Sequence, residues 1–430
     1  MALLLKNLHL VDPHADINEV CDVVIRDGRF VEFGKDLSIP KGVEFDCSGK
    51  VGIPSLVDMH GHLREPGYEY KETIESGARS ALKGGYSDIC CMPNTLPVAD
   101  TSAVIKAIIK KAEAQDYCRV HPFGAITVGL EGSQLTEMAD LLDAGAIAFS
   151  DDGKGVQSAK MMRTAFDYAK MFDALLVAHS EDESLVGKGC VHEGKASTLL
   201  GLPGQPGESE TVAVLRDIAL AELTGGRLHI AHVSSRHTVE AIRQAKARGV
   251  AITAEVTPHH LFLSEENLDT SYNTNLKVNP PLRSEQDRAA LVEGLLDGTL
   301  DVVATDHAPH ASEEKECEFE LAAFGSIGYE TALPLVLTNL VNTEKMSYER
   351  LVEVMSHKPR EILGLPPRVC EVGAQADLTL FDPAKNQTFE VGSFTSHAQN
   401  SAFIGQPLTG AITDVIINGY HKLQDGKVIA

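Results

Sequence analysis

VGIPSLVDMHGHLREPG (51–67) is the stretch on which the fold turns. It opens as a short apolar run and ends at His60-Gly61-His62, where polarity changes abruptly. In an extended strand residues i and i+2 share a side, so both imidazoles point the same way. The same form recurs along the chain. Short apolar runs lie at 86–93 (YSDICCMP), 119–126 (RVHPFGAI), 146–151 (AIAFSD), 175–180 (LLVAHS), 228–234 (LHIAHVS), 251–258 (AITAEVTP) and 301–307 (DVVATDH). Longer segments of helical apolar spacing separate them, among them 101–115 and 234–249. In the latter Val239, Ile242, Ala245 and Lys246 step around one stripe, and Gly249 supplies the stop.

Eight strands, each followed by a helix, predict an α/β fold of the (β/α)8 barrel type. A doubly wound open sheet would need a Gly-rich phosphate turn after its first strand, and the chain has none there. The two ends differ from the middle. Residues 2–47 and the last sixty or so read as short strands with turns at Asp27-Gly28, Asn418-Gly419 and Asp425-Gly426. The expected division is a barrel over 53–365 and a small β-sandwich domain assembled from 1–52 and 366–430.

Charge narrows the function. Lys+Arg number 38 against 61 Asp+Glu, a formal −23, so there is no cationic surplus to displace counterions from nucleic acid. The eight cysteines are scattered without a CxxC pair, unlike a disulfide framework. The apolar run Ala2–Leu5 ends at Lys6, shorter than the roughly 7–15 residues of a signal core. No stretch approaches the roughly 18 apolar residues of a membrane span. The expectation is a cytoplasmic protein acting on a small molecule.

The polar exceptions on the apolar runs cluster at their C-terminal ends. His60 and His62 follow SLVDM, Asp151 and Asp152 follow AIAFS, His179 ends LLVA, His232 ends HIA, and Asp306 follows VVAT. In a barrel those ends share one rim, where active sites are built. Four imidazoles and at least two carboxylates there are metal chemistry, of a donor set that suits zinc. Any one of these histidines alone is more often a hydrogen-bonded core residue. The set, each member at a strand end, is not explained that way.

DMHGHLREPG (58–67), CMPNT (91–95), FSDDG (149–153), KVNPPLR (277–283), ATDHAPH (304–310) and GAQADLTLFDP (373–383) resemble the amidohydrolase superfamily and, within it, the type I dihydroorotases. The resemblance covers nearly the whole chain. It implies reversible cyclisation of N-carbamoyl-L-aspartate to L-dihydroorotate in pyrimidine biosynthesis. It also implies two zinc ions per subunit, bridged by Asp152 and a hydroxide. His60, His62 and Asp306 would hold one ion, and His179 and His232 the other. The residues alone leave Asp151, or a modified Lys154, open as the bridge; the family motif places it on the second aspartate. Asp306 becomes the catalytic proton carrier.

Substrate contacts implied are His62, Arg64, Asn94, Asn279, His310 and the Phe324-Gly325 backbone, with the planar fork of Arg64 pairing a carboxylate. The bland alternative for Arg64 is a surface ion pair with Glu65 or Glu69. His307, His259 and His260 exceed the ligand set and read as supporting or packing residues. Two positions depart from the family pattern. Gly61 stands where an apolar residue is usual, and Ala323 stands where proline often precedes Phe-Gly. The acidic segment between His310 and Phe324 lacks an obvious anchor and is expected either to close over substrate or to be a solvated charge run. Rival functions are a dihydropyrimidinase, hydantoinase or allantoinase, and a non-catalytic scaffold. Expected partners are a second copy of the chain, as a homodimer, and aspartate carbamoyltransferase. The overall acidity does not oppose an anionic substrate, because bound metal dominates its local field.

Overall fold

Three turn dipeptides set the register of the terminal strands. Asp27-Gly28, Asn418-Gly419 and Asp425-Gly426 take positive φ at both residues (50° and 83°, 54° and 76°, 47° and 73°). That is the type I′ geometry whose twist matches an antiparallel hairpin. They close Ile17–Arg26 onto Arg29–Gly34, Pro407–Ile417 onto Tyr420–Gln424, and that strand onto Lys427–Val428. In this computed structural model, which describes residues 2–429, strands from both ends share one nine-stranded sheet. Val51–Pro54 joins its two parts, pairing with Ala2–Asp12 on one side and Leu378–Thr388 on the other.

The run 51–60, expected to be one strand, is therefore two. Val51–Pro54 belongs to the terminal sheet, and Leu56–Asp58 begins the parallel strands. Proline has no N–H to continue a ladder, and the next amide, Ser55, donates to Asp377 O at 3.2 Å.

The middle of the chain is mixed α/β, and its strands pair in parallel. Leu56–Asp58, Tyr86–Cys91 and Arg119–Pro122 form one sheet. Phe149–Ser150, Leu175–Ala178, Arg227–Ile230, Ile252–Val256 and Val302–Val303 form another. Parallel bridges Gly124–Phe149 and Gly61–His307 join the two at both edges, so pairing follows chain order and the last strand meets the first. Period-two alternation sorts the side chains. Val57, Met59, Cys90, Met92, Phe123, Val177, Ala231, Val302 and Ala304 meet in one buried cluster. Their neighbours Leu56, Ile89, Cys91, Leu176, Ile230 and Val303 turn the other way, into the larger core shared with the helices. The strand Ile252–Val256 breaks the apolar rule with Thr253 and Glu255, both bonded to His229.

Helices form where the spacing predicted them, at Ser102–Gln115 and Arg236–Ala247. Val239, Ile242 and Ala245 are buried; Lys246 at the stripe's edge reaches Asp301 at 2.7 Å. The end opposite the functional residues is tied down by charge. Arg119 reaches Asp88 (2.8 Å) and Asp377 (2.5 Å), and Arg360 reaches Asp88 (2.7 Å), all three acceptor contacts being deeply buried. Removing one partner of such a buried set typically costs about 3–5 kcal/mol.

Candidate metal centre

The strand-end residues meet. Asp152 lies between the imidazoles, with Oδ1 at 3.4 Å from His60 Nε2, 3.2 Å from His179 Nδ1 and 3.4 Å from His232 Nε2, and Oδ2 at 3.5 Å from His62 Nε2. Asp306 Oδ1 is 3.0 Å from His62 Nε2 and 3.5 Å from His60 Nε2. His179 Nδ1 and His232 Nε2 approach to 2.9 Å. All six residues are buried. Asp306 and His232 hold positive φ (47° and 34°), a strained conformation for residues with a Cβ and one that concentrates at functional sites.

Three observations fit this donor set to a cation. His60, His62 and Asp306, and separately His60, Asp152 and His232, place their ligand atoms within 4.8 Å of one another. The contacts of 3.0–3.5 Å match the edge of about 3.3 Å of a tetrahedron with metal–ligand bonds of about 2.0–2.1 Å. Among the described residues, buried His60 Nε2, which faces Asp152 and Asp306, finds no hydrogen-bond partner. The field has the matching sign. Burial opposes a charge on His60, yet Glu255, Asp152 and Asp306 hold its pKa well above the usual imidazole value.

Asp151 and Lys154 go elsewhere. Asp151 Oδ1 accepts from the amides of Ile126 (2.8 Å) and Thr127 (3.0 Å), its other oxygen takes the Thr127 hydroxyl, and Lys154 is exposed. Arg64 makes no ion pair with Glu65 or Glu69. Glu65 holds Lys111 and the Ile74 amide, and Glu69 accepts from Gly67 N. The guanidinium instead bends over the rim, with Nε donating to Pro309 O at 3.1 Å and one terminal nitrogen 3.4 Å from His310 Nε2. His310 Nε2 also lies 2.8 Å from Phe324 O. Burial and then Arg64 bring His310 down to about 3, so it is uncharged at neutral pH.

Asn94 Oδ1 is 3.0 Å from His62 Nδ1, which fixes that ring and leaves the amide nitrogen of Asn94 available. Asn279 Nδ2 donates to Glu181 Oε2 (2.9 Å) and lies 3.5 Å from His179 Nε2. Gly325 is less open than expected. Its N–H donates to Lys277 O (2.8 Å) and its carbonyl accepts from Lys315 Nζ (3.0 Å) and Asn400 Nδ2 (3.1 Å).

One further expectation is revised, and both departures from the family pattern have a structural reason. The acidic segment 311–323 does have an anchor: Lys315, inside it, is buried and donates to Ala323 O, Gly325 O and Lys277 O at 2.8, 3.0 and 3.4 Å. Burial and then Lys277 lower that amine to about 7. At Ala323 the N–H donates to Glu314 O (2.9 Å), a bond proline would forfeit. At Gly61 a Cβ would sit 2.0 Å from the Tyr329 hydroxyl, so the glycine makes room for a tyrosine stacked on His307 at 3.9 Å. His307 Nε2 is 3.3 Å from Glu72, and His260 bonds Thr257 Oγ1 and Pro280 O, each at 2.8 Å. Buried His259 Nε2 has no protein partner among the described residues.

Glu255 was not singled out from sequence. Its Oε1 lies 2.5 Å from His60 Nδ1 and 3.2 Å from the His232 amide, and its Oε2 lies 3.2 Å from His229 Nε2. The signal was present: it is the one charge within the apolar run 251–258.

Known proteins resemble the chain at full length. A family model described as Dihydro-orotase-like matches residues 49–238. Curated dihydroorotases from Pelotomaculum thermopropionicum and Acetivibrio thermocellus are 48% and 46% identical, covering 99% and 97% of this chain and 99% and 98% of their own. Among solved structures, an L-hydantoinase (dihydropyrimidinase) from Arthrobacter aurescens superposes with a TM-score of 0.89 at 28% identity, over 100% of this chain and 97% of that one.

Proposed function

The chain belongs to the dihydroorotase family, enzymes of cyclic-amide hydrolysis and cyclisation, and from that premise we propose that the His–Asp cluster is its active site. The reaction is the reversible cyclisation of N-carbamoyl-L-aspartate to L-dihydroorotate. The observation that carries the assignment is Asp152, whose two oxygens face four imidazoles at 3.2–3.5 Å. A carboxylate so placed suits two cations at once. His60, His62 and Asp306 would hold one zinc, His179 and His232 the other, and Asp152 would be common to both. When bound, the metals supply Lewis-acid polarisation of the amide carbonyl and activation of water at neutral pH.

The chain's own residues do the rest. Asp306 moves the proton, taking it from water and delivering it to the ring nitrogen in hydrolysis, and reversing that in synthesis. Arg64 keeps N–H groups beyond its Pro309 bond, and these pair with the substrate carboxylate. Asn94, through the nitrogen not used on His62, and His310 support the same end. Asn279 and the Phe324-Gly325 loop hold the ring amides. Glu255 keeps His60 Nδ1 occupied, so that Nε2, turned toward Asp152 and Asp306, would be free to ligate a metal.

The closed parallel pairing supports a (β/α)8 barrel over 53–365, save that Ile53 and Pro54 pair within the terminal sheet, and that sheet supports a β-sandwich domain from 1–52 and 366–430. We also propose a cytoplasmic homodimer that receives N-carbamoyl-L-aspartate from aspartate carbamoyltransferase. Among the described residues no helix is long and apolar enough to cross a membrane. The deciding experiment incubates zinc-loaded protein with dihydroorotate, hydantoin, dihydrouracil and allantoin. Turnover of dihydroorotate is expected; cleavage of another ring without it would replace the assignment by the hydantoinase-type reading.

A further inference from the structure

Three side-chain hydrogen bonds of a single residue in the C-terminal part of the chain span two loops of the proposed substrate site. Asn400 is buried. Its Oδ1 accepts from the His310 amide at 3.0 Å, and its Nδ2 donates to Ala308 O and Gly325 O, each at 3.1 Å. Its own carbonyl accepts from Ile327 N at 3.0 Å. A primary amide has one acceptor and two donors in a plane, and every one of them is used here.

Resting on the substrate site proposed above, we propose that Asn400 is a positioning residue for substrate recognition, setting the separation of His310 from Phe324-Gly325. The two loops touch directly through His310 Nε2 and Phe324 O, at 2.8 Å. A substrate that engages His310 at Nε2 displaces that link. The loops are then held in register by the Ala308 N–Ser326 O bond (3.0 Å), by Gly328 N on His307 Nδ1 (3.2 Å) and, nearest the substrate, by Asn400. The strand-end ligands do not touch Asn400, so its effect falls on binding and not on the metals. The segment around it is itself braced on the rim. His397 N donates to Glu72 Oε1 (3.1 Å), Thr395 N to Glu330 Oε1 (2.7 Å) and Ala402 N to Ser326 Oγ (2.9 Å). Residues outside the barrel segment thus shape a site whose reacting groups all lie within it.

The test uses the zinc-loaded full chain with Asn400→Ala and Asn400→Asp. Alanine removes all three bonds. Aspartate keeps the shape but loses both donors and sets a carboxylate against two carbonyls. Both are expected to raise KM for dihydroorotate roughly tenfold, with kcat within about twofold and zinc content unchanged. Calorimetric binding of orotate, the planar oxidised analogue, is expected to weaken by the same factor. Folded variants with wild-type KM and orotate affinity overturn the inference, as does a loss confined to kcat or to zinc content. Should the alanine variant not fold, the aspartate variant decides; failure of both to fold assigns Asn400 to stability and also overturns it. Absence of dihydroorotate turnover in the wild type is a separate result, and it strikes the proposed function itself.

Discussion

Glu255→Gln isolates what one buried carboxylate contributes to metal binding. Glu255 meets His60 Nδ1 at 2.5 Å, the His232 amide at 3.2 Å and His229 Nε2 at 3.2 Å. Glutamine preserves the volume and the Oε1 acceptor, so the His60 ring and the His232 amide keep a partner. It removes the charge and turns an NH2 toward His229. A charge-assisted hydrogen bond is worth roughly twice a neutral one, so the loss at His60 is about 1–1.5 kcal/mol. At about 1.4 kcal/mol per decade, zinc affinity should fall about tenfold. Glu255→Ala also strips the acceptor from His60 and His232, and the fall should approach about 100-fold, the upper end for partners of metal-bound histidines. Zinc competition against a chromophoric chelator measures both, and thermal melting of the metal-free forms separates a folding defect from a binding defect. A folded Gln variant that binds zinc within about twofold of wild type would falsify the idea that Glu255 orients His60 for the metals.

Asp306→Asn should reduce turnover by at least about 100-fold while leaving melting close to wild type, because the amide cannot carry the proton; near-normal kcat would remove Asp306 from catalysis. Chelation should abolish activity and added zinc should restore it, with activity persisting in metal-free protein as the contrary result. Burial works against ionised Asp12, but the His357 hydrogen bond and the Cys370 amide outweigh it and lower its pKa. A lowered carboxylate stabilises the fold above its unfolded pKa of about 3.9, and that contribution is lost as pH falls through the folded value. Asp12→Asn should therefore destabilise by about 3 kcal/mol at neutral pH, with a gap that narrows below about pH 4 in urea titrations; a pH-independent gap would contradict the linkage. Lys315→Met should speed proteolysis within 311–323 several-fold by freeing three carbonyls, and unchanged cleavage would show that the lysine is not the anchor.

Much of the site was legible because its chemistry is local. An apolar strand that ends in histidine or aspartate announces itself within a few residues, and six such residues at the ends of five strands point to one rim. The Asx-Gly turns are equally local, since their positive φ is set by two residues. The extent of the first strand is not legible in the sequence because Val51–Pro54 and Leu56–Asp58 are both largely apolar. Only their partners, Leu378–Thr388 for one and Tyr86–Cys91 for the other, tell them apart. The anchor of segment 311–323 was hidden for a similar reason. Lys315 looks like one more surface charge until the carbonyls of 277, 323 and 325 are seen around it.

By itself the sequence determined the alternation of strands and helices, the strand-end histidines and aspartates, and the family to which the chain belongs. Tertiary structure decided which of Asp151 and Asp152 faces the histidines, because one turn of backbone sends the first to the Ile126 and Thr127 amides and the second inward. It also decided that Glu255 serves His60, 195 residues away, and that Asn400 serves His310, 90 residues away. Such pairings join groups that no periodicity relates. They exist only once closure of the strands and docking of the C-terminal segment have brought distant backbone into contact.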